Sequence, residues 1–331
     1  MHTDDYTPEI QHAARLLREG KLVAFPTETV YGLGADATNP AAIRRVFHVK
    51  GRPSSNPLIV HVPSFTELLR YIDFSRSKDP ALLHNRLKAL EHFWPGPLSV
   101  VAPRVREICA DSCAGGDTVA LRIPRHDMAL QLLALSQTPI AAPSANPSMY
   151  ISPTTAQHVR DNLGDLVDYV LDGGACDVGL ESTVVSLLDE IPTILRPGAI
   201  TASMLETALG CKVKDFAPRD DADISPLLSP GMLEKHYSPN TPVILRDKLD
   251  NATPLPTRVG VIRFSDTTEP LNTEAIKILS RSGDLSEIAA NLFAALRDLD
   301  QMNLDMIIVD TCEPVGLGAA IMDRLLRASK R

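Results

Sequence analysis

Cysteine is scarce in this chain and badly spaced for pairing, with five in 331 residues. An odd count without paired spacing excludes a disulfide scaffold and points to free thiols in a reducing compartment. Cys109 and Cys113 are separated by three residues and no His/Cys pair completes the pattern, so no zinc module is expected. No run of about 18 apolar residues occurs, and the N-terminus has no charged-then-apolar leader. The expected compartment is the cytoplasm, with no membrane partner. Aromatics make up only 5%, too few to interleave with cations as a base-stacking surface. A net charge of -8 and a pI near 5.6 exclude a general nucleic-acid coat but allow a small basic cleft. The P-loop, the G-x-S-x-G elbow and the H-E-x-x-H pair are all missing. Gly316-Leu317-Gly318 is a bare G-x-G without a third glycine, so it predicts no dinucleotide site.

One further absence is local. Residues 37–66 contain no Asp or Glu, yet they hold Arg44, Arg45, His48, Lys50, Arg52 and His61. The spacing predicts a helix over 40–49, opened by Asn39 and Pro40, and a strand over 58–62. Between them Gly51 and Pro53 break the helix, leaving a turn that carries Lys50 and Arg52. Such a turn is either a solvated basic surface or a holder for a polyanion such as a triphosphate.

Elsewhere the pattern mixes periods. Helices are predicted over 8–19, over 65–72 behind the capping box Ser64-x-x-Glu67, from Asp79-Pro80 onward, and from the 152–155 cap to about 162. Strand-like runs fall at 21–25, 98–102, 118–123, 140–142 and 169–171, with a hairpin at 182–188 and 193–195. The segment 26–34 reads as a polar turn rich in hydroxyls. Without strict alternation, the first part predicts an α/β domain with a mixed sheet. Five prolines between residues 215 and 242 mark a semi-rigid linker. Beyond it, strands at 258–264 and 306–309 alternate with helices at 285–299 and 319–328, predicting a smaller parallel α/β domain. The expected organisation is 1–212, a linker over 213–241, and 242–331.

What recurs at strand ends and adjoining turns is a set of cations, Lys50, Arg52, Arg122 and Arg196, beside Thr29, Ser144, Asn146 and Ser182. Such positions commonly host α/β sites. The set suits phosphates plus a small polar molecule, with electrostatic positioning and no protein nucleophile. A Ser/His/Asp triad drawn from Ser144 and His61 has nothing in the spacing to favour it.

Six motifs in order carry a family likeness: 26–34, Lys50-Gly51-Arg52-Pro53 with Asn56-Pro57-Leu58-Ile59-Val60-His61, Trp94-Pro95-Gly96-Pro97-Leu98, Ala142-Pro143-Ser144-Ala145-Asn146, Glu181-Ser182-Thr183-Val184-Val185, and Leu195-Arg196-Pro197-Gly198. Together they resemble the YrdC-domain family, the threonylcarbamoyl-AMP synthases. Ser229-Pro230-Gly231-Met232 and His236-Tyr237-Ser238-Pro239 resemble the linker of its two-domain branch, from which residues 233–235 depart. The resemblance implies a YrdC-like mixed twisted sheet with helices plus a smaller Rossmann-like domain. It also implies a reaction of L-threonine, bicarbonate and ATP, with Mg2+ on the nucleotide, that gives threonylcarbamoyl-AMP and pyrophosphate. The product would pass to downstream tRNA-modification proteins, with at most a weak RNA contact by the enzyme itself. By motif matching, Lys50, Arg52, Asn56, Thr118, Ser144, Asn146, Ser152, Arg196 and Tyr237 fall where the family binds ATP. Lys50 and Arg52 are the expected catalytic pair. Thr29, His61, Arg122, Ala142 and Ser182 fall where it holds threonine. No resident metal is expected. Trp94 to Pro97 is expected to be structural, and the linker is expected to fold over the cleft. Two rival readings are an RNA-binding module on the same fold and a hydrogenase-maturation carbamoyltransferase. The second requires acylphosphatase and zinc modules that this chain lacks.

Overall fold

The structure is a computed structural model and describes residues 7–216, 236–249, 255–266 and 273–330. The linker motif 229–232 and the departure at 233–235 lie outside the described residues. Local chemistry opens the chain as predicted. Thr7 caps α1 (Pro8–Arg18), which buries Ile10, Ala13, Ala14 and Leu17 on one face. Asn39 accepts from Ala41 and Ala42 at the start of α2 (Pro40–Lys50), and Gly51 ends it in the left-handed region at φ 59°. Lys50 is therefore the last helical residue and not part of a turn, because the left-handed bend that only glycine adopts cheaply falls one residue later.

The first sheet contains β1 (Val23–Phe25), β2 (Gly32–Asp36), β3 (Ile59–His61), β4 (Leu98–Pro103), β5 (Thr118–Arg122), β6 (Ile140–Ala141), β7 (Tyr169–Val170), β8 (Thr183–Ser186) and β9 (Thr193–Arg196). Their order is β7-β1-β2-β6-β3-β5-β4-β8-β9. Parallel pairs (β1 with β7, β3 with β5, β4 with β8) alternate with antiparallel ones, so the sheet is mixed as expected. β2 was hidden in the predicted polar turn. Its sequence Gly-Leu-Gly-Ala-Asp has poor strand propensity, but a Cβ at Gly34 would lie 2.9 Å from the Phe25 ring. The glycine lets β1 and β2 close together.

Helices α3 (Phe65–Arg70), α4 (Pro80–Leu90), α5 (Asp127–Ser136), α6 (Ala156–Leu163) and α7 (Ala202–Leu209) complete this half. Of these, α5 and α7 carry no motif that sequence reasoning picked out. Side chains alternate across the central strands. Val60, Val100, Leu121, Val185 and Ile194 enter the main core with α2 and α4. On the opposite face Ile59, Val101, Ala120, Val184 and Leu195 form a small apolar floor. One step along the same face come His61, Ser99, Arg122 and Ser182, all buried. Near β1 and β6 that face is covered by α1 and α5. The Trp94 indole packs on Phe65 and donates to the Leu98 carbonyl at 2.8 Å, a structural role as predicted.

The second half is a parallel sheet of β10 (Val243–Leu245), β13 (Met306–Val309), β11 (Val259–Arg263) and β12 (Ala275–Ile278), in that order. It packs with α8 (Leu285–Asp300) and α9 (Leu317–Ala328). Its apolar core does not stop at the domain border. Val30, Ile151 and Leu180 from the first half share it with Tyr237 and Phe293. Among the described residues no helix is long and apolar enough to cross a membrane.

Candidate active site

A cavity of about 50 Å³ lies on the polar face of the first sheet, closed on one side by His236 and Tyr237. It is lined by Thr29, Arg52, His61, Arg122, Ala142, Ser144, Arg196 and Tyr237, all predicted site residues. Loops after β1 and β6 bring in Thr29 and Ser144, and strands β3, β5 and β9 supply His61, Arg122 and Arg196. Lys50, Asn56, Thr118, Asn146, Ser152 and Ser182 do not line the cavity; most of them support it from behind.

Lys50 donates to the carbonyls of Ser144 and Asn146 at 2.6 and 2.5 Å, pinning the loop after β6. Burial, and then Arg52 nearby, hold its ammonium well below the ordinary lysine range. Arg52 donates from Nε to the Asn56 carbonyl at 3.0 Å, and from its NH2 end to Asn56 Oδ1 at 2.6 Å and to the Pro57 carbonyl at 2.8 Å. Asn56 therefore positions Arg52. Thr118 is half-buried at the start of β5, at the end of the β3–β5 pair nearest Asn56 and Pro57. Arg196 donates to the Ser182 carbonyl at 3.0 and 2.9 Å and to its hydroxyl at 3.1 Å, and that hydroxyl meets Ser99 at 2.8 Å. These bonds leave the NH1 ends of Arg52 and Arg196 without a partner among the described residues. The Asn146 amide donates to the Pro147 and Tyr150 carbonyls at 2.9 Å. Ser152 donates to Glu181 at 2.5 Å.

Arg122 is different. Its NH2 stands 2.8 Å from Glu28 Oε2, with both side chains buried. The pair is close but off the hydrogen-bond angle, so the attraction is chiefly Coulombic. His61 lies beside it with Nδ1 unpartnered, edge-on to Phe25. Burial, and then the Arg122 charge, push this imidazole down to about 3, so it is neutral. Thr27 organises the loop below by donating to the Val30 carbonyl at 2.6 Å and meeting Thr29 at 2.8 Å.

The structure also qualifies the acid-free stretch. Arg44 pairs with Asp111 and Arg45 with Asp168, so two of its three arginines form an ordinary solvated face neutralised from far along the chain. Residues that sequence reasoning passed over include Glu28, Ser99 and Glu181. Glu181 was visible only inside a motif, and Ser99 one step before a buried strand position. Among the described residues no group of three His, Cys, Asp or Glu side chains could hold a metal ion.

The class and the family follow from comparison with known proteins. Residues 15–198 match the family described as Telomere recombination, and residues 200–330 match the Threonylcarbamoyl-AMP synthase, C-terminal domain. The Threonylcarbamoyl-AMP synthase of Pyrococcus abyssi is 38% identical over 97% of this chain and 94% of its own length. That of Bacillus subtilis is 39% identical over 97% and 93%. The crystal structure of P. abyssi Sua5 complexed with L-threonine superposes with a TM-score of 0.85 at 38% identity, covering 97% of this chain and 94% of that one. A two-domain enzyme with a YrdC-type sheet is thus the class. The chain belongs to the threonylcarbamoyl-AMP synthase family, whose product is AMP-linked.

Proposed function

We propose that this chain joins L-threonine, bicarbonate and ATP into threonylcarbamoyl-AMP and pyrophosphate in the cavity on its first sheet, for use in tRNA threonylcarbamoyladenosine modification. One observation carries the reading. Lys50, Arg52 and Arg196 are buried, and among the described residues they bond only to uncharged acceptors. Buried charge with no acid bonded to it is costly. A triphosphate would offset that cost, taking the spare third proton of Lys50 and the NH1 ends of the two guanidinium groups. Arg122 and the hydroxyl groups around Thr29 and Ser182 suit the carboxylate and hydroxyl of threonine.

In this reading the threonine amine and bicarbonate give a carbamate and water. A carbamate oxygen attacks the α-phosphorus, and the bond to the β-phosphate oxygen breaks to release pyrophosphate. The nucleophile belongs to the substrate, so the protein needs only to hold reactants close and neutralise charge. Mg2+ would enter on the nucleotide as part of the substrate. His236 and Tyr237 line the cavity, which has room for a few waters but not for a nucleotide. Pyrophosphate release measured with and without threonine and bicarbonate tests the reading. Release is expected to require both, and release that ignores threonine would reject it.

A further inference from the structure

The C-terminal domain sends one side chain against the back of this site. Arg324, on α9, is fully buried. Its Nε lies 2.8 Å from Glu181 Oε2. Its NH2 donates to the Pro197 carbonyl at 3.0 Å and to the Glu181 carbonyl at 3.4 Å. Its NH1 meets Asp323 at 2.7 Å, and the guanidinium carbon sits 5.3 Å from the Tyr237 ring centroid. The residues it grips are the neighbours of an anion-site contact. Glu181 precedes Ser182, which accepts from Arg196, and Pro197 follows Arg196. Arg324 therefore brackets the Arg196–Ser182 contact from the far domain.

Glu181 explains why the bracket carries charge. It is the acidic residue in the cavity wall, among Arg52, Arg122 and Arg196. A bare carboxylate there would compete with a triphosphate for Arg196 and repel it. With Ser152 on one oxygen and Arg324 on the other, Glu181 is satisfied from behind. Burial pushes its carboxyl up, but Arg324 and then Arg196 pull it down further, to about 2, so it stays ionised.

We propose that Arg324 is a positioning residue for the nucleotide half of the site, neutralising Glu181 and fixing the Pro197 carbonyl so that Arg196 remains available to the anion. The inference rests on the triphosphate reading given above. It assigns the C-terminal domain a part in ATP binding beyond packing. Docking of that domain is also served by other contacts: Arg297 on α8 grips the Ile151 and Ser152 carbonyls and Asn162, and Gly179 lets the α8 backbone approach so closely that a Cβ would lie 2.5 Å from the Ala290 Cα.

The test uses full-length chains and compares Arg324→Gln, Glu181→Gln and the double variant, with unfolding checked for each. In Arg324→Gln the KM for MgATP is expected to rise roughly 10–100-fold, while the KM for threonine stays within about twofold. Adding Glu181→Gln is expected to recover at least about tenfold of the ATP effect, because the stranded charge is gone. A purely structural arginine would lower kcat or the active fraction and raise both KM values, and no second substitution at Glu181 would repair it. That result, or an unchanged ATP KM in Arg324→Gln, overturns the inference. Should the single variant not fold, Glu181→Gln/Arg324→Met, which buries neither charge, takes its place. It is expected to fold and bind MgATP within about tenfold of wild type, and failure of either overturns the inference. Arg52→Ala run alongside separates the two ideas. If ATP binding is indifferent to Arg52, the triphosphate site itself is wrong; if it needs Arg52 but ignores Arg324, only the present inference fails.

Discussion

Two sets of buried cations lie in and behind the cavity wall and behave differently. Arg122 faces Glu28, and Arg324 faces Glu181 and Asp323. Lys50, Arg52 and Arg196 face carbonyls, an amide and a hydroxyl. Paired charges hold a structure together whether or not a ligand is present. Cations met only by dipoles are held in place but left under-neutralised, and they gain most from an incoming anion. The contrast separates cations whose charge is offset inside the protein from cations left for a ligand to neutralise, and substitution should expose it.

The largest effect should come from the substrate side. If the small pocket pairs the threonine hydroxyl with buried polar groups, valine strands those groups, and kcat/KM should fall by about 10⁴. Serine loses only a methyl and should be a poor but measurable substrate, at a cost of roughly 1–3 kcal/mol. Equal rates for valine and serine would remove the hydroxyl-recognising pocket around Thr29, His61 and Ser182.

Next, Lys50→Ala or Arg52→Ala should lower pyrophosphate release by about 10²–10³. Urea unfolding should show a loss of about 1–3 kcal/mol from the stranded acceptors, with no acid left bare. Arg122→Met should do the reverse in kind. It leaves Glu28 buried and uncompensated, and should cost about 3–5 kcal/mol in the same unfolding assay. If Lys50→Ala destabilises the fold as much as Arg122→Met, the two sets are not different in nature.

The smallest effect concerns pH. Burial holds His61 and His236 at about 3, helped by Arg122 in the first case and by Arg52 and Lys50 in the second. Unfolded, each imidazole takes its proton near pH 6.5. Between those values the unfolded chain binds more protons, so this stability is fully present above 6.5 and is lost as pH falls toward 3. Each histidine should contribute about 1.4 kcal/mol per pH unit in that window. Urea midpoints at pH 7 and pH 5 should differ accordingly, and His61→Gln should flatten the slope. An unchanged slope would mean that His61 is not buried neutral.

Much of the architecture was legible in the sequence because its causes are local. Thr7, Asn39, Asp79 and Thr155 cap helices with side chains that reach only three residues ahead, so the starts of α1, α2, α4 and α6 could be read directly. Strand alternation likewise put His61 with Ile59 and Arg122 with Ala120, opposite Val60 and Leu121. Positions at strand ends, with the motifs, were enough to nominate eight residues that line the cavity.

Tertiary structure decided which cations are free. The carbonyl that Lys50 grips belongs to a residue 94 positions away, and Arg324 meets Glu181 across 143. A backbone carbonyl leaves no mark in a sequence, since every residue has one, so Lys50 and Arg52 read the same whether solvated or buried. Glycine-rich β2 became a strand only because the Phe25 ring and β6 close around it. Short-range hydrogen bonds and side-chain parity are written residue by residue. Charge compensation and close backbone approach depend on segments that meet only after folding, and there the sequence alone left two answers where the structure leaves one.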